Sequence, residues 1–139
     1  MVAGTSFKLY TDGGARGNPG PAAIGIVLID SAGNIIKQFK RVIGKATNNQ
    51  AEYTALIEGL KIAKIYWNGP LESFVDSELV ARQVNGEYDV KNAELRIAHK
   101  AVQKLMATFP SVTITHVRRA NAMQSRADKL VNEALDENT

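Results

Sequence analysis

The sequence contains no cysteine, and this and other absences exclude several kinds of protein. Without cysteine the chain can form no disulfide framework, no thiolate zinc site and no cysteine nucleophile. No apolar run approaches the roughly 20 residues that a membrane-spanning helix needs. The N-terminal sequence MVAGTSFKLY lacks the basic segment and long apolar run of a signal peptide. We therefore expect a cytoplasmic protein with no membrane partner.

The composition is that of an ordinary folded domain. A chain of 139 residues has the size of one compact domain, and its 45% hydrophobic and 22% charged residues argue against disorder. No repeat or linker interrupts it, so we predict a single domain over residues 1–139. The net charge of +3 and the pI near 9.2 are compatible with a polyanionic partner but do not identify one.

Hydrophobic periodicity and turn signals predict five strands and four helices. The predicted strands cover residues 7–12, 23–30, 35–43, 71–76 and 112–117. The first helix follows an N-cap at Thr47 or Asn48 and ends near Tyr66, and the others cover about 78–85, 93–108 and 126–135. Three strands in a meander, followed by strands that alternate with helices, indicate an α/β fold. We expect a five-stranded mixed sheet, with three antiparallel strands followed by parallel ones, flanked by helices.

Two aspartates fall at the carboxyl ends of predicted strands, where α/β sheets place their sites. These are Asp12, at the end of the first strand, and Asp76, at the end of the fourth. The segment GGARGNPGP, rich in glycine and proline, follows Asp12 directly. A hairpin turn explains such a segment, and so does a metal or a phosphate that sits against its backbone.

Two further acids lie on the apolar side of predicted helices. Glu52 shares a face with Leu56, and Asp128 shares one with Val131. Each acid alone has an ordinary structural explanation as a turn residue, a cap or a first-turn acid. Four carboxylates on converging elements repel one another, and each desolvated charge costs several kcal/mol unless a cation compensates it. With no cysteine and only two histidines, that cation is a hard one such as Mg²⁺ or Mn²⁺.

Four segments that occur in the order YTDGGARGNPGPAAIGIVL, TNNQAEYTALIEGL, VDSELVARQVNGEY and RADKLVNEALD resemble type 1 ribonuclease H. The resemblance implies a ribonuclease H-like fold and a catalytic, metal-binding set of Asp12, Glu52, Asp76 and Asp128. It also implies a two-metal hydrolysis of the RNA strand of an RNA–DNA hybrid, which leaves 3′-hydroxyl and 5′-phosphate ends. Asp12 would bridge both ions, Asp128 would hold the ion on the nucleophile side, and Glu52 and Asp76 the ion on the leaving-group side.

The resemblance also assigns seven residues to substrate binding. They are Gly13, Gly14, Asn18, Thr47, Asn48, Asn49 and Gln50. The two glycines lack a Cβ and would let a nucleic-acid backbone approach the main-chain amides. Asn18 and Thr47 are placed near a phosphate of the DNA strand. The other three would face the RNA minor groove, where amides can both donate to and accept from 2′-hydroxyls. We expect one residue of this group also to cap the helix.

The chain departs from the family pattern in several places. Arg118 stands where many members have a histidine, and because arginine is no general acid near neutral pH, we expect it to have an auxiliary phosphate-binding or electrostatic role. His116 is given no role, and Gln124 replaces a frequent asparagine. The basic protrusion that many members carry between the third and fourth acids is missing, and we expect a compact form without a hybrid-binding domain. We therefore expect modest substrate affinity with a strong salt dependence.

Three other interpretations stay open at the level of sequence. The chain could be an integrase-like or resolvase-like nuclease that acts on DNA, because fold alone does not fix function. It could be a nucleic-acid-binding module without catalysis, or the four acids could be plain surface residues. Within the ribonuclease interpretation, double-stranded RNA is a secondary substrate beside the hybrid, and we expect a monomer.

Overall fold

The computed structural model describes residues 5–118 and 120–138, and all nine predicted elements are present there. The strands are β1 (Phe7–Ala15), β2 (Gly20–Ile29), β3 (Ile35–Ala46), β4 (Leu71–Val75) and β5 (Val112–His116). The helices are α1 (Asn48–Tyr66), α2 (Glu78–Val84), α3 (Ala93–Met106) and α4 (Ala122–Glu137).

The strands form one mixed sheet in the order β3-β2-β1-β4-β5. The first three strands pair antiparallel as a meander, while β4 pairs parallel with β1 and β5 pairs parallel with β4. The predicted five-stranded mixed sheet is therefore confirmed. Its central strand, β1, pairs antiparallel with β2 on one side and parallel with β4 on the other.

Helices cover both faces of the sheet, which explains the nearly unbroken apolar sequence of β2. On one face Ile24 and Ile26 pack with residues of α1 in the main core. On the other face Val27 packs with Ala127 of α4. Successive residues of a strand point to opposite faces, so both alternate sets of β2 are buried. The same alternation in β1 directs Leu9 to the α1 face and its neighbour Tyr10 to the α4 face.

The hairpin between β1 and β2 is longer than predicted. The first strand does not end at Asp12 but continues to Ala15, and β2 begins at Gly20 instead of residue 23. The reason is that antiparallel pairing with β2 persists beyond the aspartate, with Asp12 opposite Gly25 and Ala15 opposite Ala22. Only residues 16–19 form the connecting loop. The ordinary explanation, a hairpin turn, therefore accounts for the backbone of this segment.

The last helix begins four residues earlier than the predicted start at Arg126. Asn121 caps it, because its side-chain oxygen accepts hydrogen bonds from the backbone N–H groups of Met123 and Gln124. The third strand also extends three residues beyond the predicted end, to Ala46. Within the described ranges, no helix has both the length and the apolar sequence needed to cross a membrane.

We predict that Gly25→Ala strongly destabilises the fold. A Cβ at this position would lie 2.2 Å from the backbone oxygen of Ala127, so α4 would have to move away from the sheet. We expect the free energy of unfolding to fall by about 3 kcal/mol, the upper part of the range for overpacked cores. Denaturant unfolding measures this loss. Gly14→Ala is the control, because its Cβ would meet only Val131 Cγ1 at 3.7 Å; equal stability of the two variants would contradict the packing argument.

Candidate active site

The sheet register brings Asp12 and Asp76 side by side. The last paired residues of the parallel strands β1 and β4 are Thr11 and Val75, so each aspartate is the next residue of its own strand. The chain then diverges: β1 continues along β2, while β4 ends and Ser77 caps α2 by accepting from the Val80 N–H. The prediction that both aspartates lie at strand ends is thus correct for Asp76. For Asp12 the prediction is correct only for the pairing of β1 with β4, because β1 continues past Asp12 along β2.

Glu52 reaches the same place from α1, because the first turn of this helix lies directly against β1. The N–H of Gly13 donates to Glu52 Oε1 at 2.6 Å, and a Cβ on Gly13 would lie 2.2 Å from the backbone oxygen of Ala51. This position needs glycine for helix packing, and its amide is occupied by a carboxylate. The structure thus gives Gly13 a different role from the predicted one of leaving room for nucleic acid. At Gly14 a Cβ would make only an ordinary contact, at 3.7 Å from Val131 Cγ1, and the predicted substrate role of this residue stays a prediction.

Asp128 is brought in by α4, and Gln124 fixes that helix to β1. Gln124 is fully buried, and its Nε2 donates at 2.8 Å to the backbone oxygen of Thr11, the residue before Asp12. Because Gln124 and Asp128 are four residues apart, they lie on one face of the helix. Gln124 therefore connects α4, which carries Asp128, to β1, which carries Asp12.

The four predicted acids line one cleft of about 400 Å³. Asp12 lies at its centre and is only 4% exposed, Glu52 is 8% exposed, and Asp76 and Asp128 are partly buried. The carboxyl of Asp12 lies within hydrogen-bonding reach of those of Glu52 and Asp128. Burial, and then repulsion by Glu52 and Asp128, raises the pKa of Asp12 well above its usual range. The sequence-based expectation that these acids converge is met by the fold.

The donor set of this cleft fits hard divalent cations. Its carboxylate oxygens are the ligands that Mg²⁺ and Mn²⁺ prefer, and positive charge there would relieve the repulsion that burial creates around Asp12. In residues 5–118 and 120–138, no three acidic or histidine side chains are already arranged as a finished metal site. The cleft therefore offers oxygen ligands of the right kind.

A second cleft, of about 480 Å³, lies beside the first along the start of α1. It is lined by Asn18, Thr47, Asn49, Gln50, Asn92, Ala93, Glu94 and Leu95. Asn49 lines both clefts and thus lies between them. Four of the seven predicted substrate residues border this second cleft, while Gly13, Gly14 and Asn48 line the first. The predicted set is therefore divided between two adjoining cavities.

Several predicted substrate residues have structural partners. Thr47 is the N-cap of α1, and with Gln50 it forms a capping box at the start of the helix. The Gln50 amide also donates to Glu94, so both ends of this side chain are engaged. Asn48 accepts from the N–H of Ala15 at 2.9 Å, and its own N–H donates to Asn18 Oδ1 at 3.0 Å. These bonds fasten the β1–β2 hairpin to the helix.

His116 is the last residue of β5, and Arg118 follows two residues later. Both are exposed. Neither is among the described residues that line the carboxylate cleft. The carbonyl of Arg118 accepts from the N–H of Asn121, which helps to form the turn before α4. The auxiliary role of Arg118 stays a prediction.

Sequence reasoning missed Arg16, which lines the carboxylate cleft from the β1–β2 loop. Its Nη2 donates to Asp136 Oδ1 at 2.6 Å. The feature of the sequence that could have identified it is that Arg16 is the one charged residue in the glycine- and proline-rich segment 13–21. Ser77 and Asn132, which also line the cleft, were missed as well.

Comparison with known proteins finds similar sequences and similar structures. A family model described as "Reverse transcriptase-like" matches residues 10–134. The ribonuclease HI of Halobacterium salinarum is 45% identical over 134 residues, which are 96% of this chain and 66% of that protein. The ribonuclease H of Hydrogenovibrio crunogenus is 33% identical over 147 residues, covering 95% of this chain and 97% of its own. The solved structure of LC11-RNase H1 in complex with an RNA/DNA hybrid has a TM-score of 0.89 and 39% identity, over 95% of this chain and 98% of that one.

The chain spans just under two thirds of the halobacterial relative and 35% of the mycobacterial relatives that it also matches. The match to the Hydrogenovibrio protein, by contrast, covers nearly the whole of both chains. With its sheet order, its four converging carboxylates and these similarities, the chain belongs to the ribonuclease H family.

Proposed function

We propose that this protein hydrolyses the RNA strand of RNA–DNA hybrids and leaves 5′-phosphate and 3′-hydroxyl ends. The observation that carries the proposal is the single cleft where carboxylates from four separate elements meet. Membership of the ribonuclease H family supports it, as does the structural similarity to LC11-RNase H1, which was solved with an RNA/DNA hybrid. The substrate of this chain, its metal ions and the roles of its individual residues are part of the proposal.

The residues proposed to hold two Mg²⁺ or Mn²⁺ ions are Asp12, Glu52, Asp76 and Asp128. When bound, such ions supply Lewis-acid stabilisation of the attacking and leaving oxygens of an in-line displacement. The protein contributes a rigid frame for their ligands. Asp12 is held in the central strand of the sheet, and Glu52 is oriented by the Gly13 N–H. The partly exposed Asp76 and Asp128 border the open side of the cleft, from which water and substrate enter.

Substrate recognition is assigned to the surface that joins the two clefts. Asn49 borders both cavities, and no hydrogen-bond partner for its amide is found among the described residues, so it can both donate to and accept from a 2′-hydroxyl. Gly14 lines the first cleft and is assigned a backbone contact with the substrate. Asn18, Thr47 and Asn48 shape this surface through the bonds that fasten the hairpin to α1.

The central test is cleavage of a hybrid labelled on each strand, with Mg²⁺ or with a chelator, and with mapping of the fragments. We expect Mg²⁺-dependent cuts in the RNA strand alone, with 5′-phosphate ends. Double-stranded RNA and double-stranded DNA form two further arms, since weaker cleavage of the former is also predicted. Cleavage of DNA duplex but not of hybrid would favour the integrase-like alternative, and no binding of any duplex would exclude both. The monomeric state and the cytoplasmic location stay predictions.

We predict that Asp12→Asn lowers the rate of hybrid cleavage at least about a hundredfold, the scale on which loss of one electrostatic stabiliser acts. The physical reason is that the amide cannot provide the central negative oxygens of the cleft. Asp89→Asn is the matched control, because Asp89 is exposed and does not line the cleft. Single-turnover rates of the two variants and the wild type measure the effect. Turnover of Asp12→Asn at the wild-type rate would overturn the assignment.

We also predict that Mg²⁺ raises the thermal stability of the wild-type protein. A ligand at ten times its Kd stabilises the folded state by about 1.4 kcal/mol, which is about 4 °C for a domain of this size. In a chelator, Asp12→Asn should melt above the wild type, because one buried, repelling carboxyl is removed. Calorimetry with and without Mg²⁺ checks both expectations. An equal Mg²⁺ shift in wild type and Asp12→Asn would place the ions elsewhere.

A further inference from the structure

Arg16 is the only basic residue, among those the structure describes, that lines the carboxylate cleft. It lies in the short β1–β2 loop, four residues after the central Asp12. Its Nη2 donates to Asp136 Oδ1 at 2.6 Å and makes a longer contact, at 3.4 Å, with the backbone oxygen of Asn132. The guanidinium is therefore held over α4 at the border of the cleft.

The geometry of α4 gives the distance of this guanidinium from the catalytic acids. Asp128, Asn132 and Asp136 are spaced by four residues and lie on one face of the helix. With a rise of about 1.5 Å per residue, Asn132 lies about 6 Å and Asp136 about 12 Å along the axis from Asp128. Arg16 contacts α4 at Asn132 and Asp136, so its guanidinium lies away from Asp128 along the helix and faces a different phosphate from one held at the carboxylates.

The ion pair between Arg16 and Asp136 is exposed enough to be exchanged. The two side chains are 41% and 67% exposed, and ion pairs of this kind contribute little to stability. A phosphodiester group offers the same two-oxygen geometry as a carboxylate, which arginine recognises with two parallel N–H donors. The other charged residues that line the cleft are acidic, so among the described side chains of the cleft Arg16 is the one that carries positive charge for a phosphate.

We propose that Arg16 binds a phosphodiester group of the strand in the cleft, other than the scissile one, and that Asp136 occupies the guanidinium in the free protein. This inference rests on the proposed function, because it places the strand by the carboxylates. Asp136 competes with the substrate for Arg16 and does not contact the reacting atoms.

A purely structural ion pair makes a different prediction from a phosphate contact. If the pair only fastens the loop to α4, then removal of either partner should have the same effect on the substrate. If Arg16 exchanges Asp136 for phosphate, Arg16→Ala should weaken substrate binding, while Asp136→Asn should leave it equal or make it tighter. The two substitutions therefore separate the interpretations.

The kinetic experiment measures KM and kcat for hybrid cleavage. We expect Arg16→Ala to raise KM about tenfold, as for loss of a charge-assisted hydrogen bond, with kcat changed by less than about twofold. Arg16→Lys should recover part of the loss, because lysine keeps the charge but not the paired donors. Asp136→Asn should have a KM at or below that of the wild type. A KM raised in Asp136→Asn as in Arg16→Ala would overturn the proposal.

Two controls make the kinetic result specific. Arg41→Ala is the matched variant, because Arg41 is 46% exposed, is ion-paired with Glu58, and does not line the carboxylate cleft. Its KM should stay within about twofold of the wild type. Any gain from Asp136→Asn should vanish in the Arg16→Ala background, since it acts through the guanidinium. If Asp136→Asn still lowered KM in the Arg16→Ala background, Asp136 would act by repelling the substrate directly. That result would contradict the exchange of Asp136 for phosphate at Arg16.

Binding without turnover tests the same contact independently of activity. In the Asp12→Asn background, binding of a labelled hybrid is followed by fluorescence anisotropy from low to high salt. Arg16→Ala should lower the slope of log Kd against log salt by about one unit, the loss of one phosphate contact, and Arg41→Ala should not. Equal slopes for the two variants would overturn the inference. Failure of the wild type to cleave hybrid would refute the proposed function instead, and is distinguishable from either binding result.

Discussion

Mutual repulsion between carboxylates in one cleft is the constraint on which the rest of this structure depends. Asp12 is nearly fully buried and lies within hydrogen-bonding reach of Glu52 and Asp128. Such an arrangement raises the free energy of the metal-free protein, so packing elsewhere has to hold the elements in place. The fold supplies that packing through close contacts of α1 with β1 and of α4 with β2, at positions where only glycine fits. Gly13 and Gly25 are therefore as much a part of the site as the acids they bring together.

Specific hydrogen bonds add orientation to this packing. The Gly13 N–H fixes the Glu52 carboxylate, and the Gln124 amide ties α4 to the strand that carries Asp12. The bonds among Asn18, Asn48 and Ala15 fasten the hairpin to α1 beside the second cleft. A site whose ligands are held by other buried groups can bind ions and substrate with little further ordering, which favours catalysis by positioning and electrostatics.

Much of the fold and the identity of the four acids could be predicted from the sequence, because both depend on periodic and local signals. The alternation of apolar residues indicates strands, and acids on the apolar side of a helix stand out against that pattern. The length of the β1–β2 hairpin could not be predicted, since the glycines after Asp12 resemble a loop until their pairing with β2 is seen. The early start of α4 depends on a cap by Asn121, whereas Ser125, directly before the predicted start at Arg126, is also a suitable type of cap residue.

The functions of single polar residues were harder to predict, because they depend on partners far away in the sequence. Gln50 has a typical substrate-reading side chain, yet its amide is engaged by Thr47 and Glu94. Arg16 lies in a segment whose sequence indicates a turn, and its contact with α4 is what places it in the cleft. In both cases the residue type was visible in the sequence, whereas the competing partner was not.

The central claim is that divalent ions share the oxygens of Asp12, Glu52, Asp76 and Asp128. The most direct measurement is anomalous diffraction from crystals of the wild-type protein grown with Mn²⁺ and a hybrid whose scissile linkage cannot be hydrolysed. We expect manganese density between these side chains and beside a phosphate of the RNA strand. Manganese density only at other surface acids, or a hybrid bound away from this cleft, would contradict it.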